Sequence, residues 1–141
     1  MSPATSLLGP VIALALWTHV IMLWMYATRI PAIFAAKMEF DSTAVRGVQM
    51  SSLPARVRWK SDNFTHLTEQ PTVFYAVAIC LCLLDQASAF NLGLAWGYVG
   101  LRVIHSHVQV LGNNIPTRFT VFVTSSVVLI ILTVNAALAV F

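Results

Sequence analysis

Residues 90–111 read FNLGLAWGYVGLRVIHSHVQVL. As a helix this stretch has the roughly 20 residues needed to cross a bilayer, and it carries an arginine, Arg102, in its interior. A guanidinium keeps its charge. In hydrocarbon that charge costs about 3 kcal/mol or more, so an intramembrane arginine marks a functional site by default. Arg102, His105, Ser106 and Gln109 follow at i, i+3, i+4 and i+7 and form one stripe of a helix. The competing reading of that stripe is a polar seam that only locks helices together.

The rest of the chain fits a membrane setting. Of 141 residues, 58% are hydrophobic and 9% charged, against about 25% charged in soluble domains. The fold class expected is all-α and integral to the membrane. Four apolar segments approach span length, at about 7–28, 67–84, 90–111 and 119–141. They make a four-transmembrane-helix bundle in which residues 1–141 form one domain. The net charge of +3 is no nucleic-acid signal, because all eight Lys and Arg lie between Arg29 and Arg118 and none is in a tail or a basic run. Cys80 and Cys82 are two apart in an apolar segment, point to different helix faces and cannot bridge each other. The start, MSPATSLLG, lacks the basic region of a signal peptide, so the first apolar segment is expected to be retained.

Basic residues mark the orientation. Arg29, Lys37, Arg46, Arg56, Arg58 and Lys60 lie in the long first connection and Arg118 in the third, whereas the short second connection, 85–89, has none. The positive-inside rule puts the first and third connections in the cytoplasm and both termini outside. The sequon Asn63-Phe64-Thr65 then faces the cytoplasm and carries no weight. Ser51-Ser52-Leu53-Pro54 offers a helix start, so span two is expected to extend as a helix from about Pro54.

Glu69 and Pro71 stand at the cytoplasmic end of span two, and Arg102 lies roughly 15 Å deep, ten residues into span three at 1.5 Å each. A Glu69–Arg102 ion pair is therefore expected as plausible. Pro71 has no N–H for the Leu67 carbonyl, and a freed carbonyl at that depth must face protein or a wet cavity. His105 and His107 are two apart, not the three or four that helical metal pairs need, so no metal site is expected. Basic groups with one carboxylate at this end suit a small, mostly anionic ligand that also bears an amine.

Three stretches resemble one family. Residues 63–75, NFTHLTEQPTVFY, are similar to the N-F-x-x-L-x-E-x-P-x-x-F-Y pattern of bacterial members of the MAPEG superfamily. These are the membrane-associated proteins of eicosanoid and glutathione metabolism. Residues 98–106, YVGLRVIHS, resemble the family's Y-x-x-x-R-x-x-H-S pattern, and Asn114 to Arg118 resembles its loop ending in arginine before the last helix.

The resemblance implies a homotrimer of four-helix subunits in the bacterial inner membrane, with glutathione as cosubstrate bound between subunits near the cytoplasmic side. Carried over by position, Asn63 and Glu69 would hold glutathione, Arg102 and His105 would floor the site, and Arg29 would join the binding set. Gln109 stands where several glutathione enzymes of the superfamily have tyrosine. Arg118 would stabilise the thiolate, with Ser106 as a second donor. The activity implied is conjugation of glutathione to small hydrophobic electrophiles, or reduction of lipid hydroperoxides. Phe119 replaces a serine of the prostaglandin-synthesising type. These two departures motivate the alternative of a non-catalytic ligand-binding or structural bundle on the same scaffold.

Overall fold

The computed structural model describes residues 5–45 and 47–141. Arg46, one of the basic residues of the first connection, and residues 1–4 lie outside them. The described chain is all helical. Helix α1 spans Leu8–Ala35, α2 Val48–Ser51, α3 Ala55–Glu69, α4 Pro71–Leu83, α5 Ala89–His107 and α6 Ile115–Val140, and a π-helical turn, Val108–Gly112, extends α5. Because α3 and α4 follow each other directly, four rods make up the molecule.

Each boundary has a local cause. α1 continues through Pro31, past the drop in hydropathy at Arg29 that suggested its end. It stops where Lys37 turns left-handed (φ 47°). There Met38 N–H donates to the Ile33 carbonyl and Lys37 N–H to the Phe34 carbonyl, a Schellman closure. α4 ends in the same way at Asp85 (φ 56°), with Gln86 N–H donating to the Leu81 carbonyl and Asp85 N–H to that of Cys82. Pro71 takes the first position of α4, where its missing N–H is harmless to α4 and its fixed φ suits a helix start. Ser88 caps α5 through Asn91 N–H, and Asn114 caps α6 by accepting from Thr117 N–H at 3.0 Å.

One packing rule runs through all four rods. Along α5, Asn91, Ala95, Tyr98, Arg102, His105 and Gln109 alternate steps of four and three, and all are buried. Along α3 and α4 the series is Asn63, Leu67, Gln70, Phe74, Val77 and Leu81, unbroken across Pro71 and buried except for half-buried Gln70. Buried Leu7, Val11, Leu14, Ile21 and Met25 of the first rod and Ser125, Leu129, Leu132 and Ala136 of α6 keep the same register. This repeat of 3.5 residues is the seam of a left-handed helical bundle.

The outside is apolar. Leu16, Leu23, Leu83 and Leu138 are 62–82% exposed. α1 and α6 are long and apolar enough to cross a membrane, yet only 22% of each apolar window is buried inside the protein. The core helix of a soluble protein would be mostly buried, so these faces are made for a lipid environment. α4 alone, at 13 residues, is shorter than a span.

Candidate functional site

The seam changes character at Arg102. Toward the second connection, the α5 positions Ala95 and Tyr98 pack against apolar neighbours. From Arg102 on, the same inward line is polar: Arg102, His105 and Gln109, with Ser106 beside them, are 0–2% exposed. The facing positions on α3 are Asn63 and His66, and those at the start of α6 are Arg118 and Phe122. The π turn after His107 adds a residue to the helical repeat and still leaves Gln109 buried. Such turns recur at functional sites because they re-aim side chains without breaking a helix.

The contacts are specific. Arg102 donates from Nη2 to the backbone carbonyl of His66. Its guanidinium carbon lies 5.6 Å from the Phe122 ring centre and 6.0 Å from that of Tyr98, within cation–π range. The rings of His66 and His105 meet edge to face at 5.8 Å, and Phe122 closes the group at 6.0 Å from His105. Asn63 Nδ2 donates to Gln109 Oε1 at 3.0 Å, tying α3 to the π turn. Arg118 donates from Nη1 to Asn113 Oδ1 at 2.7 Å. Asn113 itself is left-handed (φ 48°) and closes the π turn onto the Val108 carbonyl.

The expected Glu69–Arg102 ion pair does not form. Arg102 turns to backbone at the α3–α4 junction, one residue before the Leu67 carbonyl that Pro71 leaves without its usual donor. The Glu69 side chain is 63% exposed, and among the described residues its one ion-pair partner is His66 Nδ1 at 3.6 Å. Burial pushes His66 below the usual histidine range; Arg102 and Arg118 push the same way and Glu69 opposes them. Neutral His66 leaves the Glu69 carboxylate free of a full counter-charge.

Arg29 is also set apart from the Arg102 cluster. It donates to Ser61 Oγ at 2.9 Å, on the face of α3 opposite Asn63. Lys60, a neighbour on α3, is buried, stacks at 5.4 Å over Trp24, and donates to the Arg56 carbonyl. Its burial and Arg56 depress its pKa.

Two residues outside the expected set complete the frame. Gln70, at the α3–α4 break, donates from Nε2 to Ser126 Oγ at 2.7 Å and accepts from the Tyr98 hydroxyl at 3.3 Å, so it joins three rods. Phe122 walls the site. The 3–4 register continued across Pro71 would have pointed inward at Gln70, and continued through α6 it would have pointed at Phe122.

The cluster holds far more bonding capacity than it uses. Asn63 Oδ1, Arg102 Nε and Nη1, His105 Nδ1, Ser106 Oγ and Gln109 Nε2 are buried without a hydrogen-bond partner. Among the described residues, one further side-chain atom shares that condition, Trp17 Nε1. A buried polar group left unpaired costs about 1–3 kcal/mol, and native folds carry few. Six such atoms, two of them on Arg102 itself, gather at one end of the seam and make it the candidate site.

Comparison with known proteins agrees with this setting. A family model described as "MAPEG family" matches residues 7–138. No curated protein and no solved structure matches the chain.

Proposed function

Because the chain belongs to the MAPEG family, we propose that it is a glutathione-dependent enzyme of the membrane. In this reading the four rods are four spans, with the arginine-rich end in the cytoplasm of a bacterium. The observation that carries the reading is the set of six unpaired polar atoms around Arg102. Glutathione has two carboxylates, one ammonium and one thiol. Arg102 Nε and Nη1 offer a fork suited to a carboxylate. His105 Nδ1 and Gln109 Nε2 add neighbouring polar positions. Glu69, exposed and without a strong cation, is available for the ammonium.

Arg118 and Ser106 carry the chemistry. A thiol attacks as thiolate, and a neighbouring cation lowers its pKa from about 8.5. Arg118, held by Asn113, supplies that charge at the mouth of the site, and the Ser106 hydroxyl donates to the sulfur. The thiolate forms a bond to a small hydrophobic electrophile and displaces its leaving group; with a lipid hydroperoxide it takes the terminal oxygen as the O–O bond breaks, the alkoxide gains a proton from water and leaves as the alcohol, and the glutathione sulfenic acid condenses with a second glutathione to the disulfide and water. Either cosubstrate arrives through the bilayer. Arg29 cannot join Arg102 within one subunit, so its place in the site requires a homotrimer in which a neighbour's Arg29 closes the pocket.

One observation favours a binding protein without turnover. Gln109 occupies the place of a phenol, and its Oε1 is already held by Asn63 at 3.0 Å. An ultraviolet difference titration of the detergent-purified protein with glutathione separates the two readings. The enzyme reading predicts a saturable thiolate band that disappears in Arg118→Ala. Saturable binding without the band supports the binding protein and contradicts the enzyme.

A further inference from the structure

His66 meets the site twice. Its backbone carbonyl accepts from Arg102 Nη2, and its ring neighbours both the Glu69 carboxylate and the ring of His105. Nδ1 lies 3.6 Å from Glu69 Oε2, just beyond hydrogen-bond length. The His105 ring lies edge to face at 5.8 Å and the Phe122 ring at 6.4 Å. The i, i+3 spacing on α3 puts His66 and Glu69 on one face of the helix. The His66 side chain is 37% exposed, so water can bring a proton to it.

The charges that act on this ring sit on three helices. Glu69 and Asp62 of α3 favour its protonation, while Arg102 of α5 and Arg118 of α6 oppose it. His105 of α5 is a second titratable ring in contact. Burial is the largest influence and holds His66 below the usual histidine range, so the ring is neutral at about pH 7. A neutral ring leaves Glu69 without a cation. A protonated ring is a cation already at ion-pair distance. Protonated His66 and a ligand's ammonium therefore compete for one carboxylate.

We propose that His66 sets which thiols the site prefers: neutral, it leaves Glu69 to select a thiol that also bears an ammonium, and protonated, it takes Glu69 and removes that selection. The inference rests on the glutathione reading and adds a specificity-determining residue to it. Glutathione itself holds one charge state through the change. Its carboxyls titrate at about 3.5, its amine at about 7.8 or above and its thiol at about 8.5, all outside the range from about pH 5 to 7.

The test is isothermal titration calorimetry of the detergent-purified full chain at about pH 7 and about pH 5. The ligands are glutathione and its desamino analogue, glutarylcysteinylglycine. The analogue keeps both carboxylates and the thiol and lacks only the ammonium, so the ratio of the two affinities isolates the Glu69 contact. The ratio should favour glutathione by about five-fold at the higher pH, the upper end for an exposed ion pair, and approach unity at the lower. His66→Gln should hold the preference at both pH values, and Glu69→Gln should show none at either. Melting temperatures close to that of the unmodified chain at the higher pH check that both variants fold. A preference that persists at the lower pH in the unmodified chain overturns the proposal. So does a preference that His66→Gln still loses on acidification, which would move the titration to another group such as His105. Equal affinities at the higher pH would also overturn it, because Glu69 would then select no amine, while a glutathione site would stand. Binding of neither thiol at either pH would defeat the glutathione reading, and this inference with it.

Discussion

Removing one member of a buried ion pair typically costs about 3–5 kcal/mol, because the other charge is stranded. Arg102 strands nothing when it is removed, since its direct partner is the His66 carbonyl. Arg102→Met is therefore expected to lose one hydrogen bond and relieve one buried charge. Thermal unfolding in detergent should show a change within about 2 kcal/mol, while glutathione binding is abolished. Loss of the folded protein in this variant would mean that Arg102 is a structural lock. His66 gives a pH signature. Burial holds its folded pKa below the usual histidine value of about 6.5, so the unfolded chain binds its proton more readily. Stability is complete above that value and is lost as pH falls through it. Melting curves between about pH 5.5 and 7.5 should slope downward on the acid side, and His66→Gln should flatten the slope.

At the scale of the element, the π turn and its left-handed closing residue position Arg118. Asn113 serves twice: its backbone accepts a positive φ, and its Oδ1 fixes the guanidinium at 2.7 Å. Asn113→Gly keeps the first role and deletes the second. The fold should persist with little change in melting temperature, while the thiolate band of bound glutathione weakens several-fold. An undiminished band would show that Arg118 needs no anchor. Much of this level was legible in the sequence. Pro54 marked a helix start, Pro71 marked a break in the hydrogen bonding of the second rod, and the stripe from Arg102 to Gln109 was visible from spacing alone. Other features were not. Arg29 suggested an end to the first helix, but the stop signal is the left-handed Lys37, which leaves no mark in hydropathy. The expected Glu69–Arg102 pair failed because matching charges at similar depth says nothing of direction, and Arg102 turns to the His66 carbonyl instead. The π turn was invisible, since nothing in Val-Gln-Val-Leu-Gly marks one added residue per turn.

For the whole molecule, polarity differs from that of a soluble bundle: a polar cluster is buried at one end of the seam, and leucines lie outside, as at Leu16, Leu23, Leu83 and Leu138, as well as in the core. Substitution effects should follow burial against the protein, not hydrophobicity. Leu132, with no exposed surface, should cost about 2–5 kcal/mol when cut to alanine. Leu138, 76% exposed, should cost little in detergent. Comparable losses at both sites would indicate that a second protein surface covers Leu138.

The central claim is that the polar end of the seam binds a ligand and does not merely hold helices together. Ser106 tests it most directly, because its hydroxyl is fully buried and bonded to nothing. The measurement is the melting temperature of the purified protein and of Ser106→Ala across a glutathione series. Binding to the folded state alone stabilises by RT ln(1 + [L]/Kd), about 2.7 kcal/mol at one hundred times Kd. The account predicts a saturable rise for the unmodified chain, a rise at least several-fold weaker in concentration for Ser106→Ala, and equal or higher stability of the variant without glutathione. No rise at any concentration, together with a less stable Ser106→Ala, would contradict the account and make the cluster structural.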